Sequence, residues 1–182
     1  MSKLKKVNKQ NKKSNFTTIV LTLALLILVG FTLVSKLNNS KDNDKASSTN
    51  KQGKTVLNDN GDLVIPKSDI SAKATFYPVE VDGTNLEVIA VEAPDGTIRT
   101  AFNTCQVCFS SGRGYYVQQN DALICQNCGN RFKTSDVEVS RGGCNPVPIF
   151  DDEKTVTDDT IVISKDFLGE AKQIFANWKS GF

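Results

Sequence analysis

All five cysteines of the chain lie between Cys105 and Cys144. They form two C-x-x-C pairs, Cys105/Cys108 and Cys125/Cys128, followed by a single Cys144 that comes after two glycines. Two residues between cysteines allow one tight turn to direct both sulfurs at one point, and a second such turn supplies the other half of a tetrahedron. This spacing is typical of metal sites, and it predicts a metal or iron–sulfur centre.

Two other uses of the cysteines stay open at this point. Disulfides are one, because exported domains often carry them, although an odd number of cysteines leaves one thiol unpaired. A redox-active C-x-x-C pair is the other, because such a pair forms a strained and reducible disulfide. The paired spacing favours metal binding over both.

The residue types narrow the choice of metal. The chain has no histidine, and its only methionine is Met1. Haem attachment, histidine-ligated zinc or copper and Rieske clusters are therefore excluded, which leaves zinc, a single iron or an iron–sulfur cluster bound by thiolates alone. Cys105, Cys108, Cys125 and Cys128 suffice for a tetrahedral site. Cys144 is then a further ligand, a thiol beside the site or a buried free thiol.

Short β-strands must position these cysteines. Apolar runs bounded by turn signals such as Asp82-Gly83 and Asp95-Gly96 predict strands and hairpins, and Pro78 predicts a sheet edge. The predicted strands are 63–65, 74–79, 86–91, 98–102, 115–117, 122–124 and 161–163. Each C-x-x-C then sits at the end of a strand, as in ribbon-like and rubredoxin-like sites.

The end of the chain predicts a closing helix. Ser164 is a suitable N-cap with Asp166 in the first turn. Apolar residues recur from Phe167 to Trp178 at helical spacing, which predicts one amphipathic helix over this stretch. The fold class expected for the globular part is α+β, mostly β, with a two-knuckle cysteine site and a C-terminal helix.

The first third of the chain differs in composition from the rest. Residues 1–15 carry six lysines, and residues 16–34 contain no charged side chain. That run is long enough to cross a bilayer as a helix, and the lysines predict a cytoplasmic N-terminus. A cleaved signal peptide is the alternative, although no A-x-A-like site follows. Residues 35–54 are polar and predict a flexible linker, which places an extracytoplasmic domain at 55–182.

The net charge of that domain limits the kinds of partner it can bind. Residues 55–182 hold eleven Lys and Arg against eighteen Asp and Glu, whereas residues 1–54 hold eleven Lys against two Asp. Phosphate binding needs a basic face, so we expect no nucleic-acid partner. No general base, nucleophile or phosphate loop stands out, and we expect a metal-binding protein or electron carrier more than an enzyme.

Four segments together resemble the FtrD-like family of membrane iron–sulfur-containing proteins. The resemblance spans roughly residues 63–150 and is carried by residues 101–108 (AFNTCQVC), 114–116 (GYY), 125–130 (CQNCGN) and 142–146 (GGCNP). It implies an iron–sulfur or other metal–thiolate domain at the membrane, with the five cysteines as candidate ligands. Some members of the family are associated with an iron permease and a periplasmic iron-binding protein, where electron transfer has been proposed.

Three functions follow as expectations. The first is a membrane-anchored electron-transfer accessory of iron uptake, since the single predicted span does not suit a permease. The second is a structural zinc module without redox chemistry. The third, a thiol–disulfide oxidoreductase, is disfavoured because neither C-x-x-C pair opens a long helix, as it does in thioredoxin-like proteins.

Overall fold

The computed structural model describes residues 50–180. The predicted basic tail at 1–15, the predicted span at 16–34 and most of the predicted linker lie outside that range. Within it, no helix is both long and apolar enough to span a bilayer.

Short strands in three antiparallel or mixed sheets dominate residues 50–180. In chain order they are β1 (Lys51–Gln52), β2 (Val56–Leu57), β3 (Leu63–Pro66), β4 (Thr75–Val81), β5 (Thr84–Glu92), β6 (Ile98–Cys105), β7 (Tyr116–Gln119), β8 (Ala122–Cys125), β9 (Arg131–Lys133), β10 (Pro146–Ile149), β11 (Thr155–Val156) and β12 (Thr160–Ile163). All seven predicted strands are present, so the mostly β expectation is confirmed.

The largest sheet has the strand order β1-β4-β5-β6-β10. Its central strands follow one another through turns at the two predicted signals. In the first turn Asp82 and Gly83 both have positive φ values, of 48° and 78°, which Asp tolerates and glycine adopts freely. In the second turn the Asp95 carboxylate accepts a hydrogen bond from the Thr97 amide at 3.0 Å. These turns deliver β6 to the first cysteine pair.

One edge strand of this sheet, β1, lies inside the predicted linker. β1 pairs in parallel with β4 only at Thr75 and Phe76, so Pro78 lies beyond the part of β4 that has a second neighbour. The missing N–H of Pro78 therefore breaks no ladder there, as expected of an edge position. Because Lys51 and Gln52 belong to the sheet, the folded part begins ahead of the predicted start at residue 55.

A second sheet, β11-β12-β3-β2, packs its apolar side chains against the large sheet and the C-terminal segment. Their shared core includes Leu63, Ile65, Tyr77, Phe102 and Leu168. The α-helix of that segment, α1, runs over Lys165–Glu170, and the Ser164 side chain accepts from the Phe167 amide at 3.2 Å, which confirms the predicted cap.

The predicted length of the closing helix was wrong. α1 ends at Glu170, and a 3-10 helix continues over Ala171–Phe175 before the chain turns. The tighter coil places the rings of Phe175 and Trp178 edge to face, with centroids 5.5 Å apart. It also brings Trp178 to β6, where its Nε1 donates to the Asn103 carbonyl at 2.7 Å. Tertiary contacts of these two rings accompany the departure from regular α-helical geometry.

The third sheet, β7-β8-β9, is small and carries the second cysteine pair. Its first two strands, both predicted, form a hairpin around Asn120-Asp121, with Gln119 paired to Ala122. The apolar faces of Tyr116, Leu123 and Phe132 join a second buried cluster that also contains Cys105 and Cys125. This cluster is the packed support of the cysteine site.

Candidate metal centre

The first C-x-x-C pair lies where β6 ends. Cys105 is its last residue and is fully buried, while Cys108 lies in the following turn and is half-buried. The Cys108 amide donates to Cys105 Sγ at 3.3 Å. Gly114 passes so close that a Cβ there would lie 2.5 Å from the Cys108 carbonyl oxygen. The turn therefore needs glycine at position 114 for reasons of space.

The second pair spans the turn between β8 and β9. Cys125 ends β8 and is buried, whereas Cys128 is exposed. The turn is closed by the Gly129 amide, which donates to the Cys125 carbonyl at 2.9 Å, and by the Cys125 amide, which donates to the Asn130 carbonyl at 3.0 Å. Gly129 has a φ of 74°, a left-handed backbone conformation that glycine adopts freely.

Cys144 reaches the site because the chain after it returns along β6. β10 pairs antiparallel with β6, and Pro146 lies opposite Cys105. Just ahead of this pairing, the Asn130 side chain donates to the Cys144 carbonyl at 2.8 Å. The Gln106 amide donates to the Asn145 carbonyl at 3.0 Å. Both ends of the Cys144 segment are thus tied to the strands that carry the C-x-x-C pairs.

The structure brings all five cysteines together, but with an unexpected grouping. The four Sγ atoms that all lie within 4.8 Å of one another belong to Cys105, Cys108, Cys125 and Cys144. Cys144 Sγ lies 3.4 Å from Cys105 Sγ and 3.9 Å from Cys108 Sγ. Cys128, which the spacing argument placed in a minimal set of four, lies outside that group and contacts Cys144 with an Sγ–Sγ distance of 2.8 Å.

The surroundings of the five thiols shift their pKa values in different directions. A hydrogen bond from the Cys125 thiol lowers the pKa of Cys105 to about 4, and the same bond raises the pKa of Cys125. Burial raises the pKa values of Cys108 and Cys144. A hydrogen bond from Cys144 lowers the pKa of the exposed Cys128. Cys105 and Cys128 are therefore the thiols most readily present as thiolates, the form that binds metals.

A buried ion pair holds the loop that carries Cys144. Lys154 is 1% exposed and pairs with Glu138, which is 14% exposed. The ammonium also donates to the Thr100 hydroxyl at 3.1 Å and to the Ile149 carbonyl at 3.2 Å. Glu138 precedes Cys144 in the chain, while Thr100 lies on β6 and Ile149 on β10. The pair therefore fastens the approach to Cys144 onto the large sheet.

A second buried polar network lies beside the cluster. Glu87 is 2% exposed and accepts from the Asn103 side chain at 2.5 Å. The Asn103 carboxamide oxygen accepts from the Tyr116 amide at 2.7 Å. Tyr116 is fully buried, with its hydroxyl 3.9 Å from Cys144 Sγ, and burial raises its pKa. Sequence reasoning missed this network, although the charge of Glu87 among the apolar residues of β5 was a signal for it.

The donor set matches the groups that a thiolate site takes. Four or five thiolates without imidazole suit an iron–sulfur cluster, a single iron or zinc. Thiolates on one tetrahedral ion at a metal–sulfur distance of about 2.3 Å lie about 3.8 Å apart. The distances from Cys144 Sγ to Cys105 and Cys108, 3.4 and 3.9 Å, are near that value. Of the aromatic residues close in sequence to the cysteines, Tyr116 and Phe132 pack in the core around the site, whereas Phe102 packs in the other core.

Comparison with known protein families identifies a match. The model of the family described as membrane iron–sulfur containing protein, FtrD-like, matches residues 70–175. That range includes all five cysteines, the Lys154–Glu138 pair and the Glu87 network. No curated protein and no solved structure matches the chain significantly.

Proposed function

Because the chain belongs to the FtrD-like family of membrane iron–sulfur containing proteins, we propose that it is a membrane-anchored electron carrier that assists iron uptake outside the cytoplasm. The observation that carries the proposal is the group of four cysteine sulfurs within 4.8 Å of one another. An iron–sulfur cluster or single iron bound there supplies reversible one-electron chemistry.

The chain's own residues supply the binding and the environment of that chemistry. Cys105 and Cys125 lie in the packed core, which restricts water at one side of the site. The Cys108 amide donates to Cys105 Sγ, and a hydrogen bond of this kind stabilises the thiolate form of a ligand. The exposed Cys128 marks the opposite, solvent-facing side. Electrons would exchange at that side, because it offers a partner the shortest approach.

The placement and the partners rest on the sequence and the family. The lysine-rich residues 1–15 ahead of the uncharged residues 16–34 support a single span with the folded part outside. The family's association with iron transport supports an iron permease and an extracytoplasmic iron-binding protein as partners. The acidic balance of residues 55–182 supports the exclusion of nucleic acid.

A structural zinc module is the second candidate. The sulfur separations near 3.8 Å favour it, because they suit four thiolates on one ion, and zinc takes such a site without redox chemistry. A single iron satisfies the same geometry. The two candidates therefore differ in the metal and in whether the site accepts an electron.

Metal analysis of the full-length chain in detergent, purified without oxygen, separates them. Iron, zinc and acid-labile sulfide are measured together with visible and electron paramagnetic resonance spectra before and after dithionite. We expect iron and a reversible one-electron change. The matched control is Cys105→Ser/Cys125→Ser, which removes two buried ligands and is expected to lose the metal. Colourless protein that holds one zinc and resists reconstitution with iron and sulfide would establish the zinc module instead.

The topology has its own test. A cysteine introduced as Ser47→Cys lies in the predicted linker and is expected to react with a membrane-impermeant maleimide on intact cells. The unmodified chain is the control, because its exposed Cys128 sets the background. Labelling of Ser47→Cys above background only after lysis would place this part of the chain in the cytoplasm.

A further inference from the structure

Cys128 and Cys144 form a closely spaced pair of thiols. Their Sγ atoms are 2.8 Å apart, whereas Cys144 Sγ is 3.4 Å from Cys105 Sγ and 3.9 Å from Cys108 Sγ. The two differ in position as well. Cys128 is exposed and lies outside the group of four, while Cys144 is half-buried and belongs to it. One thiol thus faces solvent and its neighbour faces the proposed metal.

We propose that Cys128 and Cys144 are a redox-active dithiol, and that its oxidation to a disulfide withdraws Cys144 from the metal and releases the metal. The metal-release part rests on the proposed function, because it needs a metal held by Cys144. The dithiol itself does not.

The chemistry needs a disulfide oxidant, either a small molecule or a protein. The Cys128 thiolate attacks one sulfur of the oxidant, which forms a mixed disulfide and expels the first thiolate. The Cys144 sulfur then attacks Cys128 Sγ, which forms the Cys128–Cys144 bond and expels the second thiolate. Two electrons pass to the oxidant, and the two protons of the cysteine thiols pass to the two expelled thiolates.

Solvent exposure and the short Sγ–Sγ distance favour a disulfide between Cys128 and Cys144 over one between other cysteines. Cys105 and Cys125 are buried, so an oxidant cannot reach them while the domain is folded. Closing the Cys128–Cys144 gap from 2.8 Å to a bond of about 2.05 Å needs a smaller movement than joining Cys144 to Cys105 or Cys108, which lie 3.4 and 3.9 Å away.

The loop geometry also favours Cys144 as the thiol that leaves. Cys105 and Cys125 end strands and are held by ladder pairing, whereas Cys144 lies between strands. Its carbonyl is bound by Asn130, which is in the same turn as Cys128. Movement of Cys144 toward Cys128 therefore keeps this hydrogen bond and breaks no strand.

The first arm of the test maps the disulfide. The full-length chain in detergent is reduced, freed of metal and treated with oxidised glutathione under nitrogen, then alkylated, digested with trypsin and sequenced by mass spectrometry. Cleavage after Arg113, Arg131 and Arg141 separates the first cysteine pair, the second pair and Cys144 onto different peptides. We expect Cys144 linked to Cys128 as the main product, and the same link in the matched variant Cys108→Ser. A main product within either C-x-x-C pair, or glutathione retained on Cys128, overturns the proposal.

The second arm follows the metal. The metal-loaded chain is treated with oxidised glutathione in the presence of a chromogenic chelator, and release is compared with that from Cys128→Ser and Cys128→Ala. The metal bound by each variant is measured first, and release is expressed as a fraction of the metal bound. We expect both variants to release that metal about tenfold more slowly, because they lack the accessible nucleophile. Release at the unmodified rate overturns the switch. A chain that binds neither iron nor zinc refutes the proposed function, while the first arm still decides the dithiol.

Discussion

The Lys154–Glu138 pair offers the sharpest test of how the Cys144 loop is held. We consider Lys154→Met, which keeps most of the side-chain volume and removes the charge. The substitution leaves Glu138 buried without its cation and also removes hydrogen bonds to the Thr100 hydroxyl and the Ile149 carbonyl. Cys144 should lose part of its support as a result.

The expected cost follows from the burial of both partners. Lys154 is 1% exposed and Glu138 is 14% exposed, so removing one charge strands the other away from water. Breaking a buried ion pair in this way costs about 3–5 kcal/mol. Asp151 contributes little, because it is 95% exposed and lies 3.5 Å from the ammonium. The double variant Lys154→Met/Glu138→Gln removes both charges, so we expect it to recover more than half of the loss.

The loss of stability caused by Lys154→Met should also depend on pH. Burial raises the pKa of Glu138 even though Lys154 opposes the shift. A carboxyl whose pKa is higher in the folded than in the unfolded state favours folding below its unfolded pKa, and this advantage is lost as the pH rises through the folded pKa. Without Lys154 the shift grows, so the cost of Lys154→Met should be larger at about pH 7.5 than at about pH 5.

The assay is urea unfolding of the full-length chain in detergent, followed by the fluorescence of Trp178, the only tryptophan. Free energies of unfolding are compared between variants at the same pH, which cancels the protonation of cysteines common to all of them. An equal loss in the single and the double variant would refute the stranded-charge reasoning. A loss from Lys154→Met that is independent of pH would refute the assignment to Glu138.

Three further predictions concern the surroundings of the cluster. Gly114→Ala should lower the metal content and should lower the free energy of unfolding by about 1–3 kcal/mol, because its Cβ would overlap the Cys108 backbone. The control is Gly169→Ala, which should leave the metal content unchanged because a Cβ at position 169 meets nothing within 4 Å. Trp178→Phe should cost about 1 kcal/mol in thermal unfolding followed by circular dichroism, because it removes the indole hydrogen bond to β6. Tyr116→Phe should lower the reduction potential of the bound metal centre at unchanged metal content, because it removes a hydroxyl that lies beside the thiolates. An unchanged reduction potential would show that this hydroxyl does not act on the metal.

Local signals predicted much of the fold. The turns at Asp82-Gly83 and Asp95-Gly96 and the strands between them follow from alternation and turn chemistry, which act over a few residues. β1, β2, β9 and β11 escaped prediction because each is only two or three residues long, and only pairing with a neighbour defines them. The closing helix was predicted too long, because its apolar spacing suits both an α-helix and the 3-10 turn that follows Glu170.

In the cysteine site, too, the local turns could be predicted from the sequence, whereas the long-range arrangement could not. Spacing predicts that each C-x-x-C pair makes a turn, and both turns follow strands. It cannot tell which sulfur of a turn faces the shared point, so the sequence left open how close Cys128 and Cys144 lie to the other sulfurs. Their order depends on the antiparallel pairing of β10 with β6, a long-range contact that brings Pro146 opposite Cys105. Neither strand carries a local signal for that register.

The separation of the cysteines along the chain has a consequence for folding. A metal that joins Cys105 to Cys144 closes a loop of 39 residues, which lowers the entropy of the unfolded chain by an amount equivalent to about 4 kcal/mol for a covalent link. A Cys128–Cys144 disulfide closes 16 residues and leaves β6 outside the loop. In an oxidised, metal-free domain, the disulfide would therefore still link the sheet β7-β8-β9 to the segment around Cys144. The link that the metal makes from both of them to β6 would be lost. Amide hydrogen exchange should then quicken in β10 before it quickens in β8.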